Sequence, residues 1–197
     1  MKEGISMAKM SRAEFQESLR RDPKNEQGGR NQRNTPQESY NCGGFALSIY
    51  DWVTPYLKAS YPNEDEVEYT DDDREALMLE LYEENWPVEN IENEIVERDA
   101  DYLLRTYPFL NQVNPKNCAN DDTLIAYRIF IKWDTENGIV EDTDFHFKVR
   151  YHGYWFEKMG SGTISICNLD ADKPWSYGED LIYTSKIIYF TTRRTNL

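Results

Sequence analysis

Asp144-Phe145-His146-Phe147-Lys148-Val149-Arg150-Tyr151 alternates strictly between polar and apolar side chains. A period of two marks a strand with one face on a core, so Phe145, Phe147, Val149 and Tyr151 should pack inward. His146, Lys148 and Arg150 then point the opposite way. His152-Gly153 fits a hairpin turn, and Tyr154-Trp155-Phe156 resumes as a strand. Upstream, residues 123–133 are rich in β-branched and aromatic residues; downstream, 163–168 and 181–192 read the same way. The expectation is an antiparallel sheet of roughly four or five strands.

Before residue 123 the period lengthens. Thr70 and Asp71 to Asp73 offer a cap and first-turn negative charge, and Leu77/Leu81 and Met78/Tyr82 recur at i, i+4. Pro87 opens a second helix whose apolar face runs through Val88, Ile91, Ile95, Leu103 and Leu104, and Pro108 ends it. Carboxylates fall between these positions and should line the outer face. The segment 62–108 reads as an acidic helical hairpin inserted in an α+β domain that occupies 35–197. Residues 1–34 read as a flexible polar arm with one short helix over 12–21, capped by Ser11 and Glu14.

Composition narrows the function classes. Aromatic residues make up 14% of the 197, enough for a packed core. No apolar run approaches the roughly 20 residues of a membrane span, and residues 1–10 lack the apolar core of a secretory signal. A cytoplasmic protein, or one delivered by another route, is expected. Three cysteines (Cys42, Cys118, Cys167) without CxxC spacing predict reduced thiols and no zinc site. No dinucleotide, phosphate-loop or metal motif is present, so no cofactor and no metal are expected. The net charge is −14, and residues 60–101 hold 17 Asp/Glu against Arg74 and Arg98. Such a segment disfavours direct nucleic-acid binding and suits a basic protein partner.

The chemistry-bearing candidates are few. In Asn41-Cys42-Gly43-Gly44-Phe45-Ala46-Leu47, Asn41 caps a helix that should continue toward Pro55, and Cys42 sits in its first turn. Helix-terminal charge would lower the thiol pKa there. Two glycines in a first turn cost helix stability and point to close approach by a strand or a substrate backbone. His146 and His152 are the only histidines. His152 falls in the turn, which leaves His146 as the base for Cys42.

Asn41-Cys42-Gly43-Gly44-Phe45 resembles the Asp-Cys-Ser-Gly-Phe signature of NlpC-type peptidases in the papain-like cysteine peptidase superfamily. The Asp144–Phe147 strand and Trp155-Phe156-Glu157-Lys158-Met159-Gly160 are also similar to small bacterial and phage-type members. The resemblance implies a Cys-bearing helix packed on an antiparallel sheet and a Cys–His pair completed by a third polar residue on the next strand. Asn168 at a strand end would be that residue, with Asp170 as the fallback. It also implies an oxyanion donor from the Cys42 backbone and a second from Gln37. The chain departs from the signature at Asn41 and in its long acidic section. The implied activity is that of a cysteine hydrolase or acyl-transfer enzyme, a peptidase or amidase acting on an amide bond of a protein or peptide. Deamidases and transglutaminases share the superfamily. The competing reading is a non-enzymatic acidic binding protein or inhibitor on an inactive Cys-His scaffold, working through the charged hairpin.

Overall fold

The two longest strands set the frame. In the computed structural model, which describes residues 40–49, 51–56, 69–119, 123–134, 136–151, 153–160, 162, 164–178 and 180–192, β2 (Leu124–Asp134) pairs antiparallel with β3 (Ile139–Tyr151) along its whole length. β4 (Tyr154–Lys158) and β5 (Ile164–Cys167) extend the sheet on one side. On the other side lie β8 (Ile188–Thr192) and the short β1 (Leu110–Gln112). The order is β1-β8-β2-β3-β4-β5, all antiparallel, and β6 (Trp175–Tyr177) and β7 (Leu181–Tyr183) form a separate hairpin. The expected α+β class with an antiparallel sheet holds. The single strand expected over 181–192 is instead two, because the chain breaks at Ser185, whose buried hydroxyl accepts from the Ile129 backbone N–H at 3.0 Å.

Alternation along β2 and β3 divides the interior into two layers. Ile125, Tyr127, Ile129, Phe147 and Val149 face a core shared with three helices, α1 (Cys42–Leu47), α2 (Asp71–Glu83) and α3 (Val88–Thr106). Ala126 and Phe130 face the opposite way, against Trp175 and Tyr183 of the β6–β7 hairpin. That hairpin explains why His146, expected on an open sheet face, is only 2% exposed. The segment leading into β6 is fastened by Arg128 of β2. Its Nη1 donates to the Lys173 carbonyl at 2.5 Å and its Nη2 to the Ala171 carbonyl at 3.4 Å, while the guanidinium lies 5.4 Å over the Trp175 ring.

The acidic hairpin is α2 and α3, bounded as its caps and prolines predict. Thr70 and Asp73 form a reciprocal capping box at the start of α2. Not all its carboxylates face water. Asp99 is fully buried, paired with Arg74 Nε at 3.1 Å and accepting from the Tyr127 hydroxyl at 2.6 Å. This cluster ties α2, α3 and β2 together. Glu92, also buried, accepts from the Thr184 hydroxyl at 2.8 Å. Among the described residues no helix is long and apolar enough to cross a membrane. The N-terminal arm and Gln37 lie outside the described residues.

Candidate functional site

The helix that begins at Cys42 is six residues long, not the run toward Pro55 that its apolar content suggests. Ser48 takes a left-handed conformation (φ 57°), and the N–H groups of Ser48 and Ile49 close back on Phe45 and Gly44 carbonyls. The chain then doubles back so that residues 51–53 run against the helix start. Asn41 organises this return. Its Oδ1 accepts from Gly44 N–H and from Val53 N–H, each at 3.0 Å, and its Nδ2 donates to the Val53 carbonyl at 2.7 Å. The glycines serve the same turn. A Cβ on Gly44 would stand 2.1 Å from the Asp51 carbonyl oxygen, and one on Gly43 2.8 Å from that of Val53. The close approach inferred from Gly43-Gly44 is therefore real, but the approaching backbone belongs to the chain itself.

Cys42 lies at the edge of β3, beside the stretch where β4 no longer pairs with it. Its thiol is 4% exposed and donates weakly to the Phe145 carbonyl at 3.9 Å. Burial pushes its pKa up to about 12, against the pull of the Phe147 and Gly43 N–H groups and the Lys158 ammonium, with Asp144 adding to the rise. The expected activated thiolate is corrected on this point: desolvation outweighs what a single short helical turn supplies. The resting group is a thiol.

His146 projects from the opposite face of β3. Its Nε2 pairs with Glu157 Oε2 at 3.4 Å, and its ring contacts Trp175, Tyr177 and Tyr183 edge-on or tilted. Glu157 is held in turn by the Tyr177 hydroxyl and by Lys148 Nζ at 3.3 Å. Burial alone would raise the Glu157 pKa. The His146 and Tyr177 hydrogen bonds and the Lys148 charge overcome it and bring the carboxyl down to about 2. His146 is itself shifted downward, chiefly by burial, with Glu157 opposing and Lys148 assisting. A neutral imidazole with Nε2–H toward Glu157 leaves Nδ1 as the lone-pair nitrogen.

Cys42 and His146 share no hydrogen bond. They do line one cavity of about 470 Å³, together with Asn41, Trp52, Thr54 and Tyr56 on one side and Asp144, Met159 and Tyr183 on the other. Asp144 is already engaged, accepting from the Tyr183 hydroxyl at 2.6 Å and from the Phe145 N–H at 2.8 Å. The other expected residues are elsewhere. Asn168 is exposed and meets Lys148 only through its carbonyl oxygen at 3.5 Å. Asp170 is exposed and paired with Lys173 at 3.0 Å. Neither touches His146, because the chain turns away after β5. The carboxylate partner of His146 is Glu157, and its signal was in the sequence: an antiparallel return of β4 on β3 sets Glu157 opposite Lys148, on the His146 face. Among the described residues no group of His, Cys, Asp or Glu is placed to hold a metal ion. No family model, curated protein or solved structure matches this chain.

Proposed function

We propose that the cavity between α1 and β3 is the site of a thiol-dependent hydrolase acting on an amide bond of a peptide or protein, in a papain-like arrangement. The observation that carries this reading is that Cys42 and His146, although on opposite faces of β3, line the same cavity, while Glu157 engages His146 Nε2 and leaves Nδ1 as the lone-pair nitrogen. Cys42 is the nucleophile, His146 the general base and Glu157 the group that fixes the tautomer. The pair starts neutral. The thiol turns from the Phe145 carbonyl toward the substrate, and as sulfur bonds to the acyl carbon its proton passes to His146 Nδ1. His146 returns that proton to the departing amine as the C–N bond breaks, leaving a thioester. Water then attacks with His146 as base, the C–S bond breaks, and the acid and the thiol are released. The imidazolium formed midway is stabilised by the Glu157 carboxylate.

A neutral pair predicts a particular labelling pattern. A peptidyl chloromethyl ketone, which fills the cavity, should modify Cys42 far faster than Cys118 or Cys167 near neutral pH, whereas iodoacetamide should show no such preference. His146→Ala should abolish the preference and Glu157→Gln reduce it by roughly tenfold or more. Labelling of all three thiols at one slow rate, or labelling of Cys42 indifferent to His146→Ala, would sink the proposal. The alternative, an acidic binding protein, finds less support. The hairpin's apolar face is buried in the core, and two of its carboxylates serve internal contacts.

A further inference from the structure

One buried charge beside Cys42 has no part in the steps above. Lys158, the last residue of β4, is 0% exposed. Glu157 faces the His146 side, so alternation turns Lys158 to the α1 side of the sheet. Its ammonium donates to the Gly160 carbonyl and lies 5.0 Å over the Tyr40 ring. Gly160 lines the Cys42 cavity, and Tyr40 stands two residues before Cys42. Continuing the register past Lys148 and Glu157 brings Lys158 level with Phe147. The Cys42 thiol meets β3 at the same stretch, on the Phe145 carbonyl and beside the Phe147 N–H. Thiol and ammonium are thus neighbours at the point where β4 leaves the edge of β3.

Burying an ammonium is costly, and a methionine of similar length would fill the space without that cost. Holding the Gly160 carbonyl does not require a charge, because a neutral amide also donates to a carbonyl. What a neutral side chain cannot do is favour the negative charge that gathers on sulfur as the thiol loses its proton. Asp144 opposes that charge and Lys158 favours it, while α1 carries no charged residue. His146, Tyr56 and Tyr183 are the other titratable side chains that line the cavity. We propose that Lys158 is a positioning residue of this site: its ammonium, at the start of α1, favours the anionic sulfur, while its hold on Gly160 and Tyr40 joins two walls of the cavity. Its purpose rests on the thiol-hydrolase reading; its effect on the sulfur does not.

Iodoacetamide alkylation of the full chain between about pH 7 and 10, resolved by thiol in a peptide digest, tests this charge. Below its pKa a thiol reacts in proportion to its thiolate fraction. Lys158→Met and Lys158→Gln should each slow Cys42 by roughly five- to tenfold at every pH, close to one pKa unit. Cys118 and Cys167 should keep their wild-type rates. Lys158→Gln retains a donor for the Gly160 carbonyl, so a structural role alone would leave its Cys42 rate unchanged. A loosened wall acts in the opposite direction from a lost charge, because exposing Cys42 quickens its alkylation toward that of an ordinary thiol. If one variant unfolds, seen as three rapidly reacting thiols, the other decides. Unfolding of both, or a folded variant in which Cys42 reacts at an unchanged or faster rate, would overturn the proposal. Peptidyl chloromethyl ketone labelling reports on the hydrolase separately. Labelling indifferent to His146→Ala, beside a Lys158 effect on alkylation, removes the hydrolase and keeps the charge at the thiol. His146-dependent labelling without a Lys158 effect does the reverse.

Discussion

Replacing Asn41 by Asp tests whether the turn that follows α1 depends on an amide at this position. The Asn41 side chain is 3% exposed and makes three hydrogen bonds, accepting two and donating one. Asp keeps both acceptor contacts but loses the donor, and sets a carboxylate oxygen against the Val53 carbonyl, where Nδ2 now sits at 2.7 Å. A buried acceptor without its donor costs about 1–3 kcal/mol, and a buried carboxylate adds to that, so Asn41→Asp should lose about 3 kcal/mol at pH 7. Asn41→Ala leaves Gly44 N–H, Val53 N–H and the Val53 carbonyl all without partners. It should lose about 3–6 kcal/mol, a large part of the roughly 5–15 kcal/mol that holds a typical domain. Urea denaturation followed by tryptophan fluorescence measures both. The Asp variant carries a further sign. Burial and the nearby carbonyl raise the new carboxyl's folded pKa above its unfolded value, and the protonated acid is a donor. The deficit against wild type should therefore be smallest at low pH and grow as pH rises through the raised pKa. An Asn41→Asp protein within about 0.5 kcal/mol of wild type at pH 7, with no pH-dependent difference, would refute this account of the turn.

Two further substitutions probe buried charge in the acidic hairpin. Asp99→Ala strands the buried Arg74 guanidinium and releases the Tyr127 hydroxyl, and should cost about 3–5 kcal/mol in urea unfolding. Burial, opposed by the Thr184 hydroxyl, raises the Glu92 carboxyl to about 7 in the fold. A raised carboxyl pKa stabilises the fold most below the unfolded value, so Glu92 should withdraw stability as pH climbs toward 7. The loss is on the order of 1–2 kcal/mol after solvent screening. Glu92→Gln should flatten that part of the curve of stability against pH; an unchanged slope would mean that Glu92 is not its source.

The alternation of residues 144–151 fixed the strand, its inward face and the direction of His146, because a period of two is a local property of the chain. The helical hairpin was legible for a similar reason: Thr70, Pro87 and Pro108 punctuate it. What the sequence concealed is tertiary. Nothing near Ser48 announces a left-handed residue, so α1 looked longer than its six residues. The β6–β7 hairpin that covers His146 is made of two three-residue strands, too short for a periodic signal. Desolvation of Cys42 comes from its burial against β3, a hundred residues away in sequence, and reverses the shift expected from its helix position. The partner of His146 is Glu157 and not a residue of the strand after β4, because the β3–β4 pairing sets Glu157 across from Lys148 on the His146 face.

The Arg128 contacts with the strap before β6 go to main-chain oxygens, not to side chains. The side chains of Ala171, Asp172 and Lys173 are all exposed. Substitution at these three positions leaves the fastening untouched; Leu169, which packs against the Trp175 cluster, and the number of residues between Asn168 and Trp175 are what is constrained. These three positions can therefore accumulate changes freely while the aromatic cover over His146 keeps its place. An inserted or deleted residue would misalign Trp175 and Tyr177 together, and the length of the strap, more than its composition, is what His146 depends on.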